Sequence, residues 1–188
     1  MIAVRPIDAA HREDIKLPNQ PFSLFGRMVP RCEGPRWEYR IERFETVSEM
    51  CFPDEDYDYD ALSKTGVILG AYEDERCVGL AILQRGFFRY MYLYDLKVDR
   101  DFRGMGVGTL LIERAKQAAA EAGYRGLYTI GQDNNLGACR FYLKCGFRIG
   151  GYDTEVYRGT KQEGKADIIF YLDLTREEQD ETISNHTL

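Results

Sequence analysis

One stretch, Tyr90 to Ala122, constrains the fold more than any other, because an apolar run, a glycine-rich turn and an amphipathic helix follow one another directly. From Tyr92 to Val98, aromatic and apolar residues are interposed with polar ones, which predicts a largely buried strand. Asp99 to Asp101 is too charged to continue it. In Arg103-Gly104-Met105-Gly106-Val107-Gly108, missing side chains let backbone N–H groups crowd together and point outward. A helix that starts there turns the loop into an anion site, since its first N–H groups lack partners and its dipole is positive at that end. The expected ligand carries phosphates.

Two nucleotide-binding templates fail on spacing. Gly-x-Gly-x-x-Gly would need a glycine where Thr109 stands, and a P-loop would need Lys and Ser or Thr where Thr109 and Leu110 follow Gly108. In the helix from Gly108, Leu111, Ala115, Ala118 and Ala122 recur at intervals that place them on one apolar face. Gly123 closes that helix. Leu127 to Ile130 is the next strand, and a strand-helix-strand unit of this kind predicts a parallel pair with a right-handed crossover.

Ile2 to Pro6 reads as a short strand, after which Pro18, Pro21, Pro30 and Pro35 forbid a long regular element. Trp37 to Phe44 alternates apolar with charged residues, a strand signal that ends at Phe44. Residues 53–60 hold five acids and two tyrosines. They read either as a solvated loop leading into a capped helix, or as an electrostatic rim with Tyr57 and Tyr59 as flat contacts for a cation. Val67 to Tyr72 and Cys77 to Gln84 form an antiparallel hairpin across a short polar link, and Tyr90 to Val98 extends it to a meander of three. Arg148 to Tyr157 and Ala166 to Leu172 add two strands. The predicted fold is α/β with a mixed, mainly antiparallel central sheet flanked by helices. Residues 1–174 are expected to form a single domain, and 175–188 a frayed tail.

The chain has 188 residues and a net charge of −6, which suits one domain, disfavours a nucleic-acid partner and allows a cationic small substrate. No run approaches a membrane span, and Met1 to Pro6 lacks the layout of a signal peptide, so a cytoplasmic protein is expected. Cys32, Cys51, Cys77, Cys139 and Cys145 are odd in number and lack Cys-x-x-Cys spacing, with only His11 and His186 beside them. They read as reduced thiols, and no metal is expected.

A second informative segment runs from Asp133 to Phe147, where an asparagine caps a helix that sets Ala138, Phe141, Tyr142 and Cys145 on one face and ends at Gly146. Arg-x-x-Gly-x-Gly at 103–108, followed after a strand by Asn-x-x-Ala-x-x-Phe-Tyr-x-x-x-Gly-Phe at 135–147, resembles the GNAT superfamily of N-acetyltransferases. Pro21-Phe22, Gly26-Arg27, Pro30-Arg31, Trp37, the acidic block 54–60, Tyr94-Asp95 and Gln132 to Asn135 are similar to the streptothricin acetyltransferases within it. That resemblance implies acetyl transfer from acetyl-CoA to an amine on the β-lysine moiety of streptothricin. It makes 90–147 the acetyl-CoA-binding core and 1–60 a substrate-side region.

It also implies roles. Backbone N–H groups of Arg103, Gly104, Met105, Gly106, Val107, Gly108 and Thr109 would hold the diphosphate of coenzyme A, aided by the Arg103 side chain. A splayed parallel strand pair would receive the pantetheine arm along Leu96, Lys97 and Val98, with Asn135, Ala138 and Phe141 on the helix side and an oxyanion contact near Leu96. Tyr142 matches the general acid. Asp95 is the leading base, with a structural carboxylate or a relaying water left open, and it doubles as a substrate contact. Trp37, Asp56, Tyr57, Tyr94, Asp133 and Glu155 complete the expected substrate contacts. A polyamine or peptide amine, or an acyl-CoA-binding module without turnover, are the alternatives, and a homodimer is compatible with the sequence.

Overall fold

The structure, a computed structural model, describes residues 1–86 and 88–175. The chain builds two compact units from separated stretches: residues 1–20, 52–128 and the described residues from Asp173 onward in the first, and 21–51 with 129–172 in the second. The tail expected to fray lies, from residue 176 on, outside the described residues.

In the first unit, β1 (Ile2–Pro6), β4 (Gly66–Glu73), β5 (Arg76–Gln84), β6 (Tyr90–Val98) and β7 (Gly126–Gln132) lie side by side in that order. The first three pairings are antiparallel. β6 and β7 are parallel, with Tyr90, Met91 and Tyr92 opposite Gly126, Leu127 and Tyr128. The helix that links them, α2 (Val107–Glu121), buries Val107, Leu111, Ile112, Ala115, Ala118 and Ala119. The expected stripe is therefore wider, and it includes Ile112 and Ala119 rather than Ala122. Gly79 on β5 permits the close approach of this helix, since a Cβ there would stand 3.1 Å from both Leu111 and Val107.

β6 carries a bulge. Leu93 pairs with Leu83 and Asp95 with Ile82, so Tyr94 is an extra residue on its strand. The insertion resets the alternation of faces. Leu96 and Val98 then share the side of Leu93, whereas Asp95 and Lys97 share the side of Ile82 and Leu80. That second side is covered by a cluster of Ile7, Ile15, Ile68, Leu80 and Ile82, against which Tyr57, Tyr59 and Leu62 pack.

In the second unit, β7 continues to Gln132, next to β9 (Asp167–Asp173) and then β8 (Arg148–Asp153), the last two antiparallel. A separate two-stranded sheet joins β2 (Phe22–Glu33) to β3 (Arg36–Met50). Its length corrects the expectation that the prolines exclude a regular element before Trp37 and that the next strand ends at Phe44. In a two-stranded sheet each strand has an unpaired edge, where Pro30, opposite Tyr39, needs no N–H. β8 stops at Asp153 rather than Tyr157, because the Asp153 carboxylate accepts the N–H groups of Glu155 (2.9 Å) and Val156 (3.1 Å) and turns the chain. The helix α3 (Leu136–Lys144) buries Leu136, Cys139 and Tyr142, so its core stripe is not the one centred on Ala138 and Cys145.

Candidate active site

The glycine loop has the backbone that an anion cradle needs. Gly104 and Gly106 take φ of +78° and +87°, and a Cβ at either would meet open space, so the requirement for glycine is conformational rather than steric. Gly106 caps α2 without a side-chain acceptor, which leaves the first N–H groups of the helix to be satisfied from outside. No acid lies in the first helical turn to repel an anion. Arg103 is exposed, and its guanidinium donates to the carbonyls of Val98 (3.1 Å) and Gln20 (3.3 Å), bracing the loop against the end of β6. These residues fit a diphosphate.

The phase of the β5–β6 ladder fixes the backbone of β6. The N–H of Asp99 donates to Val78 at 2.9 Å, so Lys97 exchanges hydrogen bonds with Leu80. Leu96 and Val98 therefore direct their N–H and C=O groups toward the edge opposite β5.

On the other face of β6, side chains converge on Asp95. The Tyr57 hydroxyl donates to Asp95 Oδ2 at 3.0 Å, and Lys97 Nζ stands 3.4 Å from the same oxygen. Oδ1 receives no protein donor among the described residues. Lys97 is nearly buried, contacts Glu55 at 2.5 Å and lies 5.3 Å from the centre of the Tyr57 ring. Burial pushes the Asp95 carboxyl above its ordinary range, against the opposing pull of Lys97 and the Tyr57 hydrogen bond. Burial and the neighbouring carboxylate likewise raise Tyr57, which stays a neutral donor. Tyr94, exposed on the bulge, meets Tyr57 and Tyr92 edge-on at 6.1 and 5.7 Å. Of the expected substrate contacts, Tyr57, Tyr94 and Asp95 thus come together.

The acids of the block are exposed, and the chain there leads into a capped helix, with several of the carboxylates engaged. Asp54 and Glu55 accept from Asn19, Asp58 caps α1 (Tyr59–Thr65), and Asp60 pairs with Arg12 at 2.9 Å. Asp56 is exposed.

In the second unit, Asn135 caps α3, its Oδ1 accepting the Ala138 N–H at 3.2 Å. Tyr142 is 8% exposed, and its ring packs on Phe141, Phe147 and Phe170 at 5.4 to 5.6 Å. Asp133 ties segments together: its N–H donates to the Ala166 carbonyl, its carbonyl accepts from Met28, and its Oδ1 accepts from Ala166 at 3.2 Å. Its Oδ2 and the Oδ1 of Asn134 are buried and find no partner among the described residues. Burial raises the Asp133 carboxyl. Trp37 lies on β3 opposite Cys32, and the exposed Glu155 pairs with Arg158 at 2.9 Å. Asp133, Trp37 and Glu155 sit on separate elements.

Two features escape sequence reading: the bulge at Tyr94 and the ion pair from Lys97 to Glu55. Among the described residues, no group of three or more His, Cys, Asp or Glu side chains is placed to hold a metal ion, and no helix is long and apolar enough to cross a membrane.

Residues 36–147 match the acetyltransferase (GNAT) family. The chain is 34% identical to streptothricin acetyltransferase A of Bacillus subtilis over 160 residues, covering 85% of this chain and 92% of that protein. It is 31% identical to a streptothricin acetyltransferase of Escherichia coli, over 79% of this chain and 74% of the other. A crystal structure from Bacillus anthracis, assigned as a streptothricin acetyltransferase and holding acetyl coenzyme A, superposes with a TM-score of 0.84 at 28% identity, covering 93% of this chain and all of that one (100%).

Proposed function

The chain belongs to the GNAT family of acetyl-CoA-dependent N-acetyltransferases, and on that premise we propose that it acetylates a primary amine on the β-lysine moiety of streptothricin, inactivating the antibiotic. The reading is supported by likeness to proteins of that name over most of the chain. The observation that carries it is Asp95, a desolvated carboxylate beside the exposed Tyr94 on the bulged strand, with Oδ2 engaged and Oδ1 receiving no protein donor among the described residues.

An alkyl amine with a pKa near ~10.4 is unprotonated in only about one molecule in 10³ at neutral pH, so the reaction needs a proton acceptor. Asp95 Oδ1 takes that proton. Tyr94 offers its ring to the ammonium before the proton leaves. Acetyl-CoA supplies the activated thioester: the amine nitrogen bonds to its carbonyl carbon while the carbon–sulfur bond breaks. The N–H groups of Gly104, Gly106, Val107, Gly108 and Thr109 and the Arg103 side chain hold the diphosphate, whereas the N–H groups of Arg103 and Met105, expected to join them, donate to the carbonyls of Arg100 and Phe102. The outward backbone of Leu96 and Val98 pairs with pantetheine amides, as do Asn135 and the start of α3 near Ala138 and Phe141. The Leu96 N–H faces the developing oxyanion. Tyr142 gives a proton to the departing sulfur, and the second proton that the nitrogen sheds as the amide forms restores the Tyr142 hydroxyl by way of solvent. Trp37, Asp56 and Glu155 serve as further contacts to the cationic substrate, whereas Asp133, expected to join them, is buried and bonded to Ala166.

Incubation of the protein with acetyl-CoA and streptothricin, followed by tandem mass spectrometry of the product, tests this. One acetyl group on the β-lysine moiety is the expected result. An unmodified antibiotic, or an acetyl group elsewhere on it, contradicts the proposal.

A further inference from the structure

The Lys97 side chain has no part in the chemistry above, yet it is the one cation on β6 and is only 8% exposed. An ammonium at that depth needs compensation. Two carboxylates offer it, and unequally: Glu55 at 2.5 Å and Asp95 at 3.4 Å. Glu55 is itself held by a second donor, since the oxygen that meets Lys97, Oε2, also accepts from Asn19 Nδ2 at 3.0 Å. The groups that titrate around Asp95 are Lys97 on its own strand and Glu55 and Tyr57 from residues 53–58. From β5, the same face presents Ile82 and Leu80, and from the turn Ala9–Lys16 it presents Ile15, none of which titrates.

We propose that Glu55 is a positioning residue for Asp95: by drawing the Lys97 ammonium to itself, it prevents Lys97 from closing onto Asp95 and so keeps that carboxylate able to accept a proton. The proposal rests on the reading of Asp95 as the base. A contact ion pair holds a carboxylate in its ionised form and makes it a weaker base. Remove the charge of Glu55, and the buried ammonium has Asp95 as its remaining partner. This gives the acidic block a role that neither a solvated loop nor a substrate rim describes.

The test follows the Asp95 carboxyl directly, by the pH titration of its ¹³Cγ resonance, assigned with Asp95→Asn, alongside the pH profile of kcat/KM. Glu55→Gln, which preserves the shape of the side chain, is expected to move the Asp95 midpoint to lower pH. Lys97→Met is expected to move it to higher pH. The double variant should fall between Lys97→Met and the wild type, because Lys97 acts on Asp95 more strongly than Glu55 does. A midpoint that is unmoved or raised in Glu55→Gln overturns the proposal, whether or not Lys97→Met folds. If Asp95 is the base, the acid limb of kcat/KM follows these midpoints. Midpoints that move as stated beneath an unmoved acid limb refute the base assignment and leave the linkage standing.

Discussion

The Tyr57 hydroxyl donates to Asp95 Oδ2 at 3.0 Å, so residues 53–58 are fastened to β6 next to the bulge at Tyr94. The bond stabilises the ionised form of a carboxylate that burial otherwise pushes toward neutrality. Tyr57→Phe keeps the ring against Tyr94 and Lys97 but deletes that donor. It should cost roughly 1–2 kcal/mol in urea unfolding. The acid limb of the kcat/KM profile should also move to higher pH, because Asp95 then holds its proton more tightly.

Gly104 and Gly106 have room for a methyl group but not the backbone for one. Alanine at either position should cost about 1 kcal/mol through its positive φ alone. Loss of the loop conformation should also weaken coenzyme A binding, measured by calorimetry, by more than the loss of stability explains. Equal affinity in both variants contradicts the diphosphate role of residues 103–109.

Asn135 holds the first turn of α3 through one side-chain oxygen, 3.2 Å from the Ala138 N–H. Asn135→Ala should destabilise by about 1 kcal/mol, and Asn135→Asp should restore most of it. Proposed contact with the pantetheine arm adds a second expectation: the alanine variant should raise KM for acetyl-CoA, and a change in stability without one removes Asn135 from the binding site.

The segment most legible in the sequence was the one where local rules agree. Strand, glycine turn, helix and parallel strand from Tyr90 to Gln132 appear where spacing placed them, because glycine φ and helix periodicity are properties of short stretches. The β2–β3 hairpin was hidden by Pro30, whose cost depends on whether its edge is paired, a fact absent from the residue itself. The partition of faces on β6 was hidden by a single extra residue, Tyr94, which shifts the phase of alternation. Glu55 and Lys97 stand 42 residues apart, and no local pattern announces such a pair.

Asp133 tests how burial couples to pH. Its carboxyl is raised in the folded protein, so the native state holds the proton more tightly than the unfolded chain, where an aspartate titrates near ~3.9. The stability it contributes is complete below that value and is lost as pH rises through the folded midpoint. Relative to Asp133→Asn, which lacks this titration, the wild type should lose stability as pH rises above about 4. Urea melts across a pH series that starts below that value measure it. A difference between wild type and variant that is constant with pH, or grows with it, contradicts the assignment.

Release of free coenzyme A thiol, measured with streptothricin, spermidine and a lysine peptide in parallel for the wild type, Asp95→Asn and Tyr142→Phe, tests the assigned reaction most directly. The account predicts turnover with streptothricin far above that with the other two amines, and a large loss of kcat in both variants. Binding of acetyl-CoA with no acetylation of streptothricin, or preference for the polyamine or the peptide, contradicts it.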